Sequence, residues 1–205
     1  VRNLLAGTFG ASPYLTSLIE REPAVLQREL AAPPERCFAE LVGELDAAVD
    51  AVETMPEAMR LLRRFKAEIA LLIALSDVGG VWPVMTAARR LSEAADAAVA
   101  AAVRFLFRQA HRKGDWLATG PDGYIVLAMG KHGAFELNYS SDIDLIVFYD
   151  LERVRVRPGL EVQPFLVRLT RDLVRLVNER TEHGYVFRTD LRLRPDPGST
   201  PLAVS

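Results

Sequence analysis

Three aspartates in the second half of this chain stand where strands would carry them. Asp142 and Asp144 are separated by one isoleucine and lead into Leu145-Ile146-Val147-Phe148-Tyr149. In an extended chain, residues two apart share a face at about 6–7 Å. Two like charges at that distance repel by roughly 2–3 kcal/mol at an effective dielectric of about 20. Water or a bound cation absorbs that repulsion, so the pair reads equally as a solvated strand end or as half of a cation site. The third acid, Asp190, opens the run Asp190-Leu191-Arg192-Leu193-Arg194. Its alternation places Asp190, Arg192 and Arg194 on one face of a strand expected over 185–193. Three converging carboxylates suit a hard cation, magnesium first and manganese next. A pair of such ions serves phosphoryl or nucleotidyl transfer by neutralising the attacking and leaving oxygens. Arg192 and Arg194 either add bidentate donors for phosphate or pair with acidic neighbours.

The elements that must position these acids follow from hydrophobic period and from Gly and Pro. Tyr124 to Met129 and Asp142 to Tyr149 read as two strands. The apolar run of the second suggests cover on both faces. Gly130 opens a tight turn between them, and a helix over 161–180 leads to the third strand. The first half reads as helical. Residues 1–12 form a loop. Ser12-Pro13 starts a helix, and further helices span 23–30, 35–54, 56–76 and 86–111, the last rich in alanine. Gly79-Gly80 followed by Trp82-Pro83 makes the clearest break. The basic group Arg60, Arg63, Arg64 and Lys66 reads as a solvated face, with an acidic partner as the sharper reading. Trp82 and Trp116 read as packing residues and His132 as structural. Arg153, Arg155 and Arg157 read as an exposed connection. The fold expected is α+β: an N-terminal helical region over 1–80, then a core over 84–205 built on a small mixed sheet.

Composition narrows the classes. The chain has 205 residues, half of them hydrophobic, and a net charge of −2. That is enough for a sizeable core, and it points to neither nucleic acid nor an anionic membrane. No apolar run approaches the ~20 residues of a membrane span. The single cysteine, Cys37, allows no internal disulfide and suits a cytoplasmic setting. The close at residues 201–205 suggests a fragment of a longer protein.

The pattern of a glycine turn, a short spacer, Asp-x-Asp and a later Asp resembles the nucleotidyltransferase superfamily of the DNA polymerase β type. Gly130 stands twelve positions before Asp142. Lys131 stands where that pattern has serine, either as a point charge for phosphate or simply exposed, with Ser140 and Ser141 taking part of the polar role. Two stretches narrow the resemblance: Met129-Gly130-Lys131-His132-Gly133 running on to Asn138-Tyr139-Ser140-Ser141-Asp142-Ile143-Asp144, and Phe187-Arg188-Thr189-Asp190-Leu191-Arg192-Leu193-Arg194-Pro195. Both look like the bifunctional glutamine-synthetase adenylyltransferase/adenylyl-removing family, in its N-terminal, removing copy. The resemblance implies a polymerase-β-like core and metal ions on Asp142, Asp144 and Asp190. It implies nucleotide and phosphate contacts at Gly130, Lys131, Ser140, Ser141, Arg192 and Arg194. The implied reaction is phosphorolysis of AMP from adenylylated glutamine synthetase to give ADP, with the PII signal protein as regulator. Two alternatives stand beside it: forward adenylyl transfer from ATP, and a non-catalytic regulatory binding module.

Overall fold

The computed structural model describes residues 1–193, 196 and 198–205. Arg194, one of the expected phosphate contacts, lies outside them.

Helices come first. They are α1 (Arg2–Ala11), α2 (Pro13–Arg21), α3 (Pro23–Leu30), α4 (Pro34–Val49), α5 (Met55–Val78) and α6 (Val84–Arg112). The expectation of a loop at residues 1–12 is corrected by α1. Gly7, Thr8 and Gly10 are poor helix formers. Leu4 and Leu5, however, pack with Ile19, Leu71 and Leu75 in a small hydrophobic cluster, and tertiary burial outweighs local propensity there. Ser12 caps α2, its Oγ accepting from the Leu15 N–H at 3.3 Å, with Pro13 at the first turn. Thr54 and Glu57 form a reciprocal capping box at the start of α5. Gly80, at φ 69°, lets the chain turn back from α5 to α6.

The sheet follows. Its strands are β1 (Tyr124–Met129), β2 (Ile143–Tyr149), β3 (Thr189–Asp190) and β4 (Ala203–Val204), with a short α7 (Gly130–Gly133) after β1 and α8 (Val162–Asn178) after β2. β1 and β2 are antiparallel, with Tyr124 opposite Tyr149 and Met129 opposite Asp144. The other edge of β2 is shared. β3 pairs parallel with its start and β4 parallel with its end.

One hydrophobic cluster joins α4, α5, α6 and α8 to the inner face of β2, where Ile143, Leu145, Val147 and Tyr149 are buried. Buried Ala94, Ala95, Ala98, Ala101 and Ala102 let α6 approach its neighbours closely. Trp116 stacks on Phe165 and meets Phe107 edge-on. Trp82 and Trp116 are indeed packing residues, each satisfying its N–H on Glu35 or on the Gly120 carbonyl. Cys37 is a buried free thiol.

Three further expectations change. β2 alternates buried and half-buried residues, so its apolar run is covered on one side and open on the other. Ile125, Leu127 and Met129 of β1 lie exposed on that open face. The strand expected over 185–193 shortens to Thr189–Asp190: before it the Val186 and Phe187 N–H groups bond to the Val177 carbonyl of α8, and after it the Asp190 carboxylate accepts the Arg192 N–H at 2.8 Å. That local side-chain bond turns the chain and ends the alternation. The basic group on α5 also divides. Arg63 is only 2% exposed; it reaches the carbonyls of Met59 and Leu176 at 3.0 Å and Gly184 at 2.9 Å, and also donates to that of Glu179.

Glu29 on α3 is 6% exposed, and neither carboxylate oxygen has a partner among the described residues. Burial pushes its pKa up to about 8, with Glu68 adding to the rise and Arg28 opposing it. The folded form therefore holds the proton over a pH range in which the unfolded chain has released it. The stability this gives is full below the unfolded value of 4.5 and is lost as pH rises through about 8. Glu29→Gln should match the parent at pH 4 and exceed it by at least about 1 kcal/mol at pH 8. Urea melts at the two pH values check this.

Candidate active site

The acids gather at the end of β2 where β1 leaves and β3 arrives. Asp144 is the register partner of both Met129 and Asp190. Neighbouring strands lie about 4.8 Å apart, so Asp144 and Asp190 stand side by side. Asp144 shares the open face with half-buried Ile146 and Phe148, away from the helices. Asp142 lies just before the strand and is exposed. The Ile143 N–H bonds to the Arg188 carbonyl at 2.8 Å, which holds the two incoming strands together at this point.

Each outer acid is met by an arginine. Arg188 Nε donates to Asp142 at 2.6 Å, and its Nη2 donates to the Ser140 carbonyl at 2.6 Å. Arg192 grips Asp190 through Nε and Nη2 at 2.5–3.0 Å. Asp190 holds the Arg192 guanidinium above its ordinary pKa by hydrogen bond and charge. Of the two readings open for Arg192, pairing with an acidic neighbour is the one seen here. Ser141 Oγ donates to Asn138 Oδ1 at 2.7 Å, closing the loop before the acids. Ser140 and Lys131 are exposed.

The turn at Gly130 is shaped by Asp144. Gly130 has φ 55°, and a Cβ there would stand 2.5 Å from Asp144 Oδ2. A side chain would be strained twice, by the left-handed backbone and by the carboxylate. Gly130→Ala should cost about 1–2 kcal/mol, lowering Tm by several degrees at ~2–4 °C per kcal/mol. It should also push Asp144 from its place. A thermal melt together with turnover measures both.

Other contacts set this region against the helices. His132 on α7 is 2% exposed, as its structural reading expects, and its Nε2 meets Asp96 Oδ1 of α6 at 2.9 Å. The Leu137 N–H donates to Ser92 Oγ of α6 at 3.2 Å. Tyr139 donates to Asp77 at the end of α5 at 2.9 Å. Lys66 of α5 lies over the Phe187 ring at 4.2 Å, and burial pushes its pKa down to about 8. Such partners are far apart in sequence: 36 residues for His132–Asp96 and 121 for Arg63–Gly184. Only Arg188 carried a sequence signal, two positions before Asp190 in the same motif.

The donor set consists of carboxylate oxygens, which suits a hard cation. The missing Cβ of Gly130 leaves Asp144 Oδ2 open on its turn side. With Arg188 drawn onto Asp142 and Arg192 onto Asp190, no three acidic, His or Cys side chains converge on one point among the described residues. The residue types fit magnesium, and the guanidiniums neutralise the same charge.

Comparison with known proteins resolves the lineage. The sequence model of the glutamate-ammonia ligase adenylyltransferase family matches residues 3–205. The chain belongs to that family. It is 50% identical to the bifunctional glutamine synthetase adenylyltransferase/adenylyl-removing enzyme of Bradyrhizobium diazoefficiens, over all of this chain and 21% of that protein. It is 52% identical to the protein of the same description from Rhodopseudomonas palustris, over 95% of this chain and 20% of that one. The Xanthobacter autotrophicus counterpart is 46% identical over all of this chain. The chain thus spans about a fifth of the length of the relatives it matches. Gly130, Asp142, Asp144 and Asp190 all fall within the matched residues. Among the described residues no helix is long and apolar enough to cross a membrane.

Proposed function

We propose that this chain is an adenylyl-removing nucleotidyltransferase unit acting on glutamine synthetase. Inorganic phosphate attacks the phosphorus of AMP on adenylyl-tyrosine. The bond from phosphorus to the tyrosine oxygen breaks, ADP forms, and the phenol oxygen takes up a proton. The observation that carries the reading is the placement of Asp144 beside Asp190 on adjacent parallel strands, with the Gly130 turn closed against Asp144.

In this reading Asp142, Asp144 and Asp190 hold magnesium, or manganese in its place. When bound, the ion neutralises charge on the phosphoryl oxygens, usually the largest catalytic contribution in such chemistry. Arg188 and Arg192 already share the acids' charge and turn toward phosphate oxygens when substrate arrives. Lys131, exposed on the turn, is a point charge for phosphate, and Ser140 and Ser141 line the same loop. Phosphate is largely anionic at neutral pH, so the attack needs no strong base. The tyrosine, with an ordinary pKa of about 10, leaves more readily once its oxygen is protonated or neutralised. The removing direction rests on the wording Asn138 to Asp144, which resembles the N-terminal copy of the family. The PII signal protein is the proposed regulator, and the buried, unpaired Cys37 thiol fits a cytoplasmic setting.

The test incubates the protein with adenylylated glutamine synthetase, phosphate and magnesium, and separately with ATP and unmodified glutamine synthetase. ADP from the first mixture, lost in Asp142→Asn combined with Asp144→Asn, supports removal. Pyrophosphate from the second mixture alone assigns forward transfer. ADP release that survives the double substitution removes the acids from the reaction.

A further inference from the structure

A cleft lined by none of the three aspartates lies between α2, α3 and α5. Its volume is about 380 Å³, within the ~300–1,000 Å³ of small-molecule sites. One wall is apolar: Leu18, Val25 and Leu71 belong to the small hydrophobic cluster that seats the N-terminal helices. The rim is basic, with four guanidiniums against two carboxylates. Two of the arginines and one acid are already engaged. Arg63 donates to backbone carbonyls, while Glu68 is held by Arg28 at 2.6 Å and Arg64 at 2.7 Å. That leaves Glu22 as the opposing charge. The guanidiniums of Arg21 and Arg60 have no hydrogen bond or ion pair among the described residues. Both line the cleft and are exposed.

The remaining wall is His183, at the tip of the tight turn Thr181–Gly184. Arg63 Nε binds the Gly184 carbonyl at 2.9 Å from below. The turn is therefore fixed to α5, and the cleft is shaped before anything enters it, which lowers the cost of binding.

We propose that this cleft binds a small phosphorylated ligand with an apolar or aromatic body. Arg21 and Arg60 take the phosphate, since guanidinium matches its oxygens bidentately. Leu18, Val25 and Leu71 receive the body. His183 closes the open side. None of these residues belongs to the acidic site on the sheet, so binding here is independent of the proposed phosphorolysis.

The chain has three histidines, His111, His132 and His183, and that makes the test direct. With ¹³C-labelled histidine, each ring gives its own NMR signal. His183 reports the cleft, and His132 reports the Gly130 turn beside the acids. The probe is 1-naphthyl phosphate, with 1-naphthol and inorganic phosphate as its separate halves. The expected result is a saturable shift of His183 with the whole probe, at least tenfold weaker with either half. Combining Arg21→Ala with Arg60→Ala should weaken it at least tenfold. Both arginines are exposed, so the variant keeps its fold, which the unmoved signals of His111 and His132 confirm. Movement of His132 without His183, equal binding of 1-naphthol, or unchanged binding by the double variant overturns the proposal.

Discussion

Asp144→Asn lowers ADP formation from adenylylated glutamine synthetase by about 10²–10³-fold or more, while the folded state is kept. The position explains both halves of that expectation. Asp144 is register partner to Asp190 on one side and Met129 on the other. The Gly130 turn closes against its Oδ2. It is thus the acid through which both neighbouring strands meet the proposed phosphate turn. Asparagine keeps the shape but removes the charge, and with it the proposed hold on magnesium. Removing one of two adjacent negative charges also relieves repulsion, so Tm should stay level or rise slightly. Turnover at saturating magnesium, read beside a thermal melt, checks the pair of outcomes. Near-parent turnover with an unchanged melt would refute the assignment of Asp144. Asp142 should matter through a different contact, because Arg188 ties it to the Ser140 carbonyl.

The largest effect on stability is expected from Arg63→Met. The guanidinium is almost fully buried and serves carbonyls of α5, α8 and the 179–184 turn. Burial lowers its pKa, with Glu179 opposing that shift. Methionine fills much of the volume but leaves several buried carbonyls without a donor, each worth ~1–3 kcal/mol. We expect a loss of roughly 3–5 kcal/mol in all, or about 6–20 °C in Tm. Arg64→Met, one position on, should cost far less, because that guanidinium is largely exposed and the buried Glu68 keeps its second partner, Arg28 at 2.6 Å. Chemical and thermal melts of the two variants, side by side, separate a buried anchor from an exposed guanidinium.

Much of this arrangement was readable from residue order. Ser12-Pro13, Pro23, the Gly79-Gly80 break and the apolar period placed α2, α3 and the breaks around α5 to within a few residues, because caps and glycine turns act locally. The strand β1 was read at Tyr124–Met129 as observed. Two of the failures were long-range and one was local. Leu4 and Leu5 give no strong local signal, yet burial against Leu71 and Leu75 makes residues 2–11 helical. Leu191 and Leu193 alternate as in a strand, yet one side-chain bond from Asp190 bends the chain away. Arg63 looked like its solvated neighbours, because sequence does not reveal which carbonyls wait across the fold.

Residue types and their order offered Gly130, Asp142, Asp144 and Asp190 as one pattern by their resemblance to a family motif, since motif spacing is a property of the chain. They determined the α+β class as well, since strand-like runs join the helical period after residue 120. Only the tertiary structure decided that Asp144 and Asp190 are register partners, that arginines close on the outer acids, and that α5 anchors the turn leading to β3. Those facts depend on strand pairing and on contacts between residues far apart in sequence, whose free energy appears only once the core is packed.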